Sequence, residues 1–302
     1  MHGLAAVKRM LDALNEAGVS DAYCDNRKAY QYLDEAALDF CRRTRILTGS
    51  ATITTVANQQ LYDLPPAFLE PYERNMNGRR LFASYTTAAG DVSWPVVTSY
   101  EKIVRANLTD AEETPGAFAI VDRRTIPTII SGTASAAGAA SNGESKLTVA
   151  TAIFGTVAVR DAVVNVTDGS QGIVLAATDT KNLQTALFSG TNNAWATSNA
   201  FYIVPAVTHQ VFLRAKSLNA GDTFRLDYIS KPEPVFASQR SWRIPEEHCP
   251  AICLKAAALF MDTKKEMKAA DYWHKTYELE VREARKKMGR LALADANYIT
   301  RL

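Results

Sequence analysis

The chain has 302 residues, 34 Lys+Arg against 32 Asp+Glu and a formal charge of +2, with 47% hydrophobic and 22% charged residues. This ordinary globular usage excludes a mainly disordered or fibrous chain, and the near-neutral balance excludes a general nucleic-acid binder. Four cysteines are too few for a disulfide scaffold. Lys8, Arg9, Asp12 and Glu16 interrupt residues 1–18, so no export signal is expected. Lys255 breaks the longest apolar run, 251–261, which is well short of the roughly 18–20 residues of a membrane span. A soluble protein, kept in the cytosol or released by lysis, is expected.

Leu4, Val7, Leu11 and Leu14 recur at steps of three and four and predict a short helix stopped by Gly18. A second helix is predicted from Arg27, capped by Asp25 or Asn26, with Tyr30, Leu33, Ala37 and Phe40 on its buried stripe. From Ala51 the period falls to two. Residues 52–56, 60–64, 79–85 and 92–97 are rich in Thr, Val, Tyr and Phe, with turn residues between them. Thr98 and Glu101 have the spacing of a capping box and open a short helix over 99–108. Residues 118–121 and 125–130 read as a hairpin turning at 122–124.

The composition then shifts. Residues 129–205 hold only 7 charged side chains in 77, and 131–145 is almost wholly Ala, Gly, Ser, Thr and Asn. That stretch has the make-up of a flexible or loosely paired connector. Beyond it, Thr167-Asp168-Gly169-Ser170 is an Asp-Gly hairpin turn between 161–166 and 172–176, and 183–187 and 201–204 add strands. The pattern is that of a small all-β domain inserted into a host.

The host resumes with alternating strands at 209–214 and 223–229, joined by a turn at 219–222. Ile244-Pro245-Glu246-Glu247 opens a helix with Pro and acids where the dipole favours them, and Ile252, Ala256, Leu259 and Phe260 share one face of it. A long helix over 265–290 follows, and 291–302 is left as a tail without amphipathic period. The fold class expected is α+β: a helical domain with a β-sheet or barrel region over 1–128 and 206–302, and an inserted all-β domain over 129–205.

Catalytic constellations are scarce. No Gly-x-Ser-x-Gly elbow, Walker loop or His-Glu-x-x-His pair occurs, and the Gly-Ala-Ser run over 132–143 lacks a Lys to neutralise a phosphate. Cys249 and Cys253 lie one helical turn apart beside His248, but Cys24 and Cys41 have no matching spacing; core cysteines are expected rather than zinc ligands. Neither a metal nor a cofactor is expected. One charge feature remains. Residues 264–290 carry 9 Lys/Arg against 5 acids, a local +4 that leaves −2 for the rest of the chain. The alternatives are an ordinary solvated face and a helix that meets a polyanion or an acidic partner.

The order of elements resembles a known family. Two helices precede Leu38-Asp39-Phe40, Ile53-Thr54-Thr55 and Tyr62-Asp63-Leu64-Pro65; later come Leu226-Asp227-Tyr228-Ile229-Ser230-Lys231-Pro232, Ile244-Pro245-Glu246-Glu247 and an Ala-rich helix over 253–261. This resembles the head-to-tail adaptor (connector, head-completion) proteins of tailed bacteriophages over residues 1–128 and 206–302. The segment Asp161 to Gly172, with Leu187, Gly190-Thr191-Asn192-Asn193 and Trp195, looks like a β module of phage structural proteins. Where that module usually starts with Gly-Asp and repeats Gly-Asp after the Trp, this chain has Arg160-Asp161 and Ser198-Asn199.

The resemblance implies a virion structural protein at the head–tail interface, not an enzyme, present in the host cytoplasm during assembly. It implies a ring of about twelve copies that joins the portal vertex to the tail and lines the DNA channel. The implied partners are the portal protein, a tail or nozzle protein, further copies of the chain and packaged double-stranded DNA held by weak non-specific contact; no membrane is implied. Family tails commonly dock on the portal, which points to Asp295, Tyr298, Ile299 and Leu302. Lys264, Lys265, Lys268, Arg282, Arg285, Lys286 and Arg290 are the candidates for the channel or for an acidic partner. The alternative is a host- or carbohydrate-binding virion protein that uses Trp195, Phe201 and Tyr202 of the β insert as an aromatic platform.

Overall fold

The computed structural model describes residues 1, 3–15, 24–76, 79–106, 114–122, 128–138, 140–141, 144–206, 209–214, 218–236, 241–265 and 267–299. The chain opens with α1 (Gly3–Ala13) and α2 (Asn26–Thr44), then β1 (Thr48–Thr54), β2 (Leu61–Asp63), β3 (Phe68–Pro71), β4 (Arg74–Met76) and β5 (Arg79–Leu81). It continues through β6 (Ala83–Thr86), β7 (Val92–Ser93), β8 (Val96–Val97), α3 (Tyr100–Ala106) and β9 (Ala117–Asp122). Next come β10 (Ile130–Thr133), β11 (Ala140–Ser141), β12 (Glu144–Thr148), β13 (Ala162–Asn165), β14 (Ser170–Ala177), β15 (Asn182–Phe188) and β16 (Ala200–Val204). The last elements are β17 (His209–Arg214), β18 (Thr223–Ser230), α4 (Cys249–Thr263) and α5 (Met267–Ile299). The class is mixed α+β. The chain divides into two compact units, Met1–Phe40 with Ile126–Ala206 and Pro232–Ala284, and Cys41–Thr125 with Val207–Lys231 and Arg285–Leu302.

In the first unit α1 packs on α4 and buries Gly3, Ala6, Val7 and Met10. The leucine stripe expected there is therefore rotated, and Leu4 is 57% exposed. Small residues on the contact face let the two helix backbones approach, and the larger Leu4 points away. At the start of α2 the Asp25 carboxylate accepts the Lys28 N–H at 2.8 Å, an N-cap that satisfies one orphan donor. Tyr30, Leu33, Ala37 and Phe40 are buried along its face, as their spacing predicts, and Ala29 and Ala36 are buried with them. On α4, Cys249, Ala251, Ile252, Cys253, Ala256, Ala257, Ala258 and Phe260 are all buried, so that helix is apolar nearly all round.

The same unit contains a seven-stranded antiparallel sheet in the order β10-β16-β13-β14-β15-β12-β11. Leu147, Val163, Val174, Leu183, Leu187, Trp195, Phe201 and Ile203 form its core. The hairpin expected around the Asp-Gly turn forms, with Asn165 facing Ser170, so that Ser170 belongs to β14 rather than to the turn. Residues 131–145, expected as a loose connector, instead supply β10, β11 and the start of β12. Their small side chains reflect close packing: a Cβ on Gly138 would lie 1.9 Å from the Lys146 carbonyl oxygen. Ser145 is buried, with its hydroxyl donating to the Gly138 carbonyl and accepting the Trp195 N–H.

The second unit has one sheet in the order β1-β18-β6-β7, with β3 also on β18, and another in the order β2-β17-β9-β8. Tyr62, Leu64, Phe68, Tyr85, Phe118, Val211, Leu213, Phe224 and Leu226 from both sheets share one core. Two local expectations change here. Residues 118–121 and 128–130 do not pair with each other: β9 pairs with β17 and β8, whereas β10 pairs with β16, and 123–127 lie outside the described residues. Strands β17 and β18 lie where they are expected, each in its own sheet. Helix α3 starts one residue late for the Thr98/Glu101 box, because the Thr98 N–H is held by the Phe118 carbonyl and Ser99 takes the cap position.

Candidate functional site

The site residues expected from the charge pattern lie on α5 and the turn before it. His274 ties the start of α5 to α4: Lys255 Nζ is 3.2 Å from its Nδ1, and its Nε2 is 2.8 Å from Asp262 Oδ2. Lysine has only donors, so Nδ1 accepts and Nε2–H donates to the carboxylate. One turn on, buried Tyr277 donates its O–H to Asp39 on α2 at 2.7 Å, with Lys255 Nζ 5.4 Å from the ring centre. Ala270, Tyr277, Val281 and Ala284 form the buried line of α5, and the opposite side is left to solvent.

Lys264 lies over the Phe260 ring with Nζ 5.1 Å from its centre, and Lys265 follows in the left-handed region at φ +63°. Both belong to the α4–α5 turn. Lys268 is exposed in the first turn of α5, which contains no acid. A cation there opposes the helix dipole, so local helix stability does not account for it. Arg282, Arg285 and Lys286 are exposed farther along, and Arg285 Nε donates to the Arg43 carbonyl at 2.5 Å. Lys268 and Arg282 are 14 residues apart, which corresponds to about 21 Å of helix, and exposed Lys275 lies midway between them.

For a helix over 265–290, Arg282, Arg285 and Lys286, with Arg290, would stand at the C-terminal end, where cations are favoured. That placement is corrected, because α5 runs on to Ile299 and its last turn has no basic residue. Leu291, Ala292, Leu293 and Ala294 are strong helix formers, and propensity continues a helix where amphipathic period is missing. Arg290, Asp295, Tyr298 and Ile299 therefore lie within α5 rather than in an irregular tail. Leu302 lies outside the described residues.

The aromatic residues of the β insert do not form a platform. Trp195 and Phe201 are core residues packed edge to face, and the indole N–H donates to Thr185 Oγ1 at 2.9 Å; only Tyr202 is exposed. Cys249 and Cys253 are buried free thiols, and desolvation pushes Cys253 up to about 12, so neither offers a thiolate at neutral pH. Among the described residues no three His, Cys, Asp or Glu side chains gather in a metal-binding arrangement, and no helix is long and apolar enough to cross a membrane.

Sequence reasoning missed two surface features. On α5, Tyr272, Lys275 and Leu279 are exposed among the expected cations. Between β7 and β8, Val92, Trp94 and Val96 are exposed in alternation. The step of four and three residues was the available signal for the first, and the period of two for the second.

Comparison with known proteins gives one family. Residues 4–142 match the family model described as SU10 adaptor protein. The match spans α1 to β11, a little under half of the chain, and points to a protein of the phage adaptor type. No curated protein matches the chain.

Proposed function

We propose that the chain is a head-to-tail adaptor that forms a ring of about twelve copies, joins the portal vertex to the tail and surrounds the DNA channel. The adaptor-family match over residues 4–142 is the observation that supports it most directly. The reading assigns no catalytic step to the chain.

The domain organisation that goes with it is an adaptor domain over 1–128 and 206–302, interrupted by an all-β insertion over 129–205. The pairing of β9 with β17, register Ala117↔Arg214 to Asp122↔His209, supports this, because these partners flank the whole inserted segment. Among the described residues, strands β10 to β16 pair only with one another.

Asp295, Tyr298, Ile299 and Leu302 are assigned to the portal contact. Lys264, Lys265, Lys268, Arg282, Arg285, Lys286 and Arg290 are assigned to the DNA passing through the ring or to an acidic partner. Duplex DNA carries one charge per ~1.7 Å, so a modest excess of cations gives weak, salt-sensitive and sequence-independent contact. Removing 295–302 tests the first assignment: portal binding should be lost with the melting temperature nearly unchanged, and retained binding would refute it. Charge reversal at Lys264, Lys265 and Lys268, and separately at Arg282, Arg285 and Arg290, tests the second. One set should alter DNA retention or ejection; no change from either set removes the DNA assignment.

A further inference from the structure

We infer that the outer ridge of α5, formed by Lys268, Tyr272, Lys275, Leu279 and Arg282, is a docking surface for an acidic amphipathic helix of a partner protein. This deepens the acidic-partner arm of the proposed function. The residues follow one another at steps of four, three, four and three, which keeps them on one helical face. They lie opposite the buried line of Ala270, Tyr277, Val281 and Ala284.

Cations and apolar groups alternate along this ridge, and no carboxylate interrupts it. Tyr272 is 68% and Leu279 is 62% exposed, the largest apolar exposures on the helix among the described residues. The cations recur every seven residues, about 10.5 Å apart along the axis, with an apolar knob between each pair. Among the described residues none of Lys268, Lys275 or Arg282 has an ion-pair partner. Three such cations and two apolar knobs in heptad spacing are the complement of a helix with an apolar seam and flanking acids.

Two other ligands fit less well. Asp271 and Glu283 are exposed on the two shoulders of the ridge, so the attractive strip is about one helix wide. A broad polyanion such as duplex DNA would meet both shoulder charges and would leave Leu279 in water. An anionic membrane would need a wide apolar face, whereas this ridge offers two apolar side chains.

The test uses the full chain and a synthetic helical peptide of about 28 residues, with Leu at its a and d positions and Glu at e and g. Binding is followed by fluorescence anisotropy at physiological ionic strength. The acidic peptide should bind, and a version with Lys at e and g should not. K275E/R282E should weaken binding about tenfold or more, and L279S several-fold, with unchanged circular dichroism and melting. Absent binding, or equal affinity of the ridge variants and the parent chain, overturns the inference. So does a short DNA duplex or an anionic vesicle that displaces the peptide and is insensitive to L279S. Failure of the ring reading would be seen separately, in particles, and would leave the peptide result standing.

Discussion

Arg160, just before β13, grips Asp34 on α2 with both arms of its guanidinium: Nη2 lies 2.8 Å from Oδ1, and Nη1 pairs with Oδ2. The same Nη2 donates to the Pro232 carbonyl at 2.8 Å. The side chains are only 17% and 14% exposed, so the pair is largely desolvated and spans the β insert, α2 and the segment after β18. Arg160 reaches this position from a left-handed backbone, φ +78°. Nearby, Tyr30 of α2 packs with Phe188 and Phe236, and Arg27 donates to Ser189 Oγ at 2.8 Å.

Breaking such a pair leaves one charge covered and unpaired. Asp34→Ala or Arg160→Ala should each cost about 2–4 kcal/mol in urea unfolding, discounted from a fully buried pair for the residual exposure. The double variant should cost less than the sum of the two singles. Additive losses would show that the pair is not coupled.

In the second unit, Tyr85 O–H donates to Asp222 Oδ2 at 2.7 Å, and Oδ1 accepts the Ala88 N–H. Burial first, and the hydrogen bond to Asp222 second, hold the phenol well above its ordinary pKa. Tyr85→Phe leaves a buried carboxylate oxygen without this donor, and a loss of about 1–3 kcal/mol is expected from chemical denaturation. Asp222→Asn, which keeps an acceptor for Ala88, should cost less than Asp222→Ala.

Gly172 of β14 lies so close to β15 that an added Cβ would sit 1.6 Å from the Ala186 carbonyl oxygen. Gly172→Ala must push the two strands apart, with an expected cost of about 3 kcal/mol or more and loss of cooperative melting in the β insert. Hydrogen exchange at β14 and β15 should rise with it; native protection would contradict this packing.

How far these features could be read in advance depends on their range. The Asp25 cap, the buried face of α2 and the 167–170 turn are local, and a few residues carry each of them. Partner choice is not local. β9 finds β17 across the whole insertion, so alternation identified both strands but not their pairing. Small residues at 131–145 mimicked a linker because Gly138 and Ser145 are small for close packing. The α5 ridge was hidden because Trp273 and Tyr277 fit one helical face while Tyr272 and Leu279 fit the other.

Two aspartates of the insert should move its stability in opposite directions with pH. For Asp168, desolvation acts upward, but N–H groups of Asn192 and Asn193 and the Ser170 hydroxyl bring its pKa below the ordinary value. A lowered folded pKa stabilises above the unfolded value, near 3.9, and that contribution disappears as pH falls through the folded value. Asp161 is raised by burial against the N–H groups of Ala158 and Ala206 that favour its charge. Its contribution is present below the unfolded pKa and disappears as pH rises through the folded one. Asp168→Asn should therefore flatten the acid loss of stability and Asp161→Asn should steepen it, measured by melting between about pH 2 and 6. Parallel profiles for both variants and the parent chain would contradict the assignment.

The central claim is a position in a particle, and a cryo-electron reconstruction of the virion with this chain located at the head–tail junction tests it most directly. The account predicts a closed ring of about twelve copies between portal and tail, with the C-terminal end of α5 against the portal and the DNA channel through the ring's centre. A trimer, or a single copy decorating the capsid or a fibre away from that junction, would contradict it.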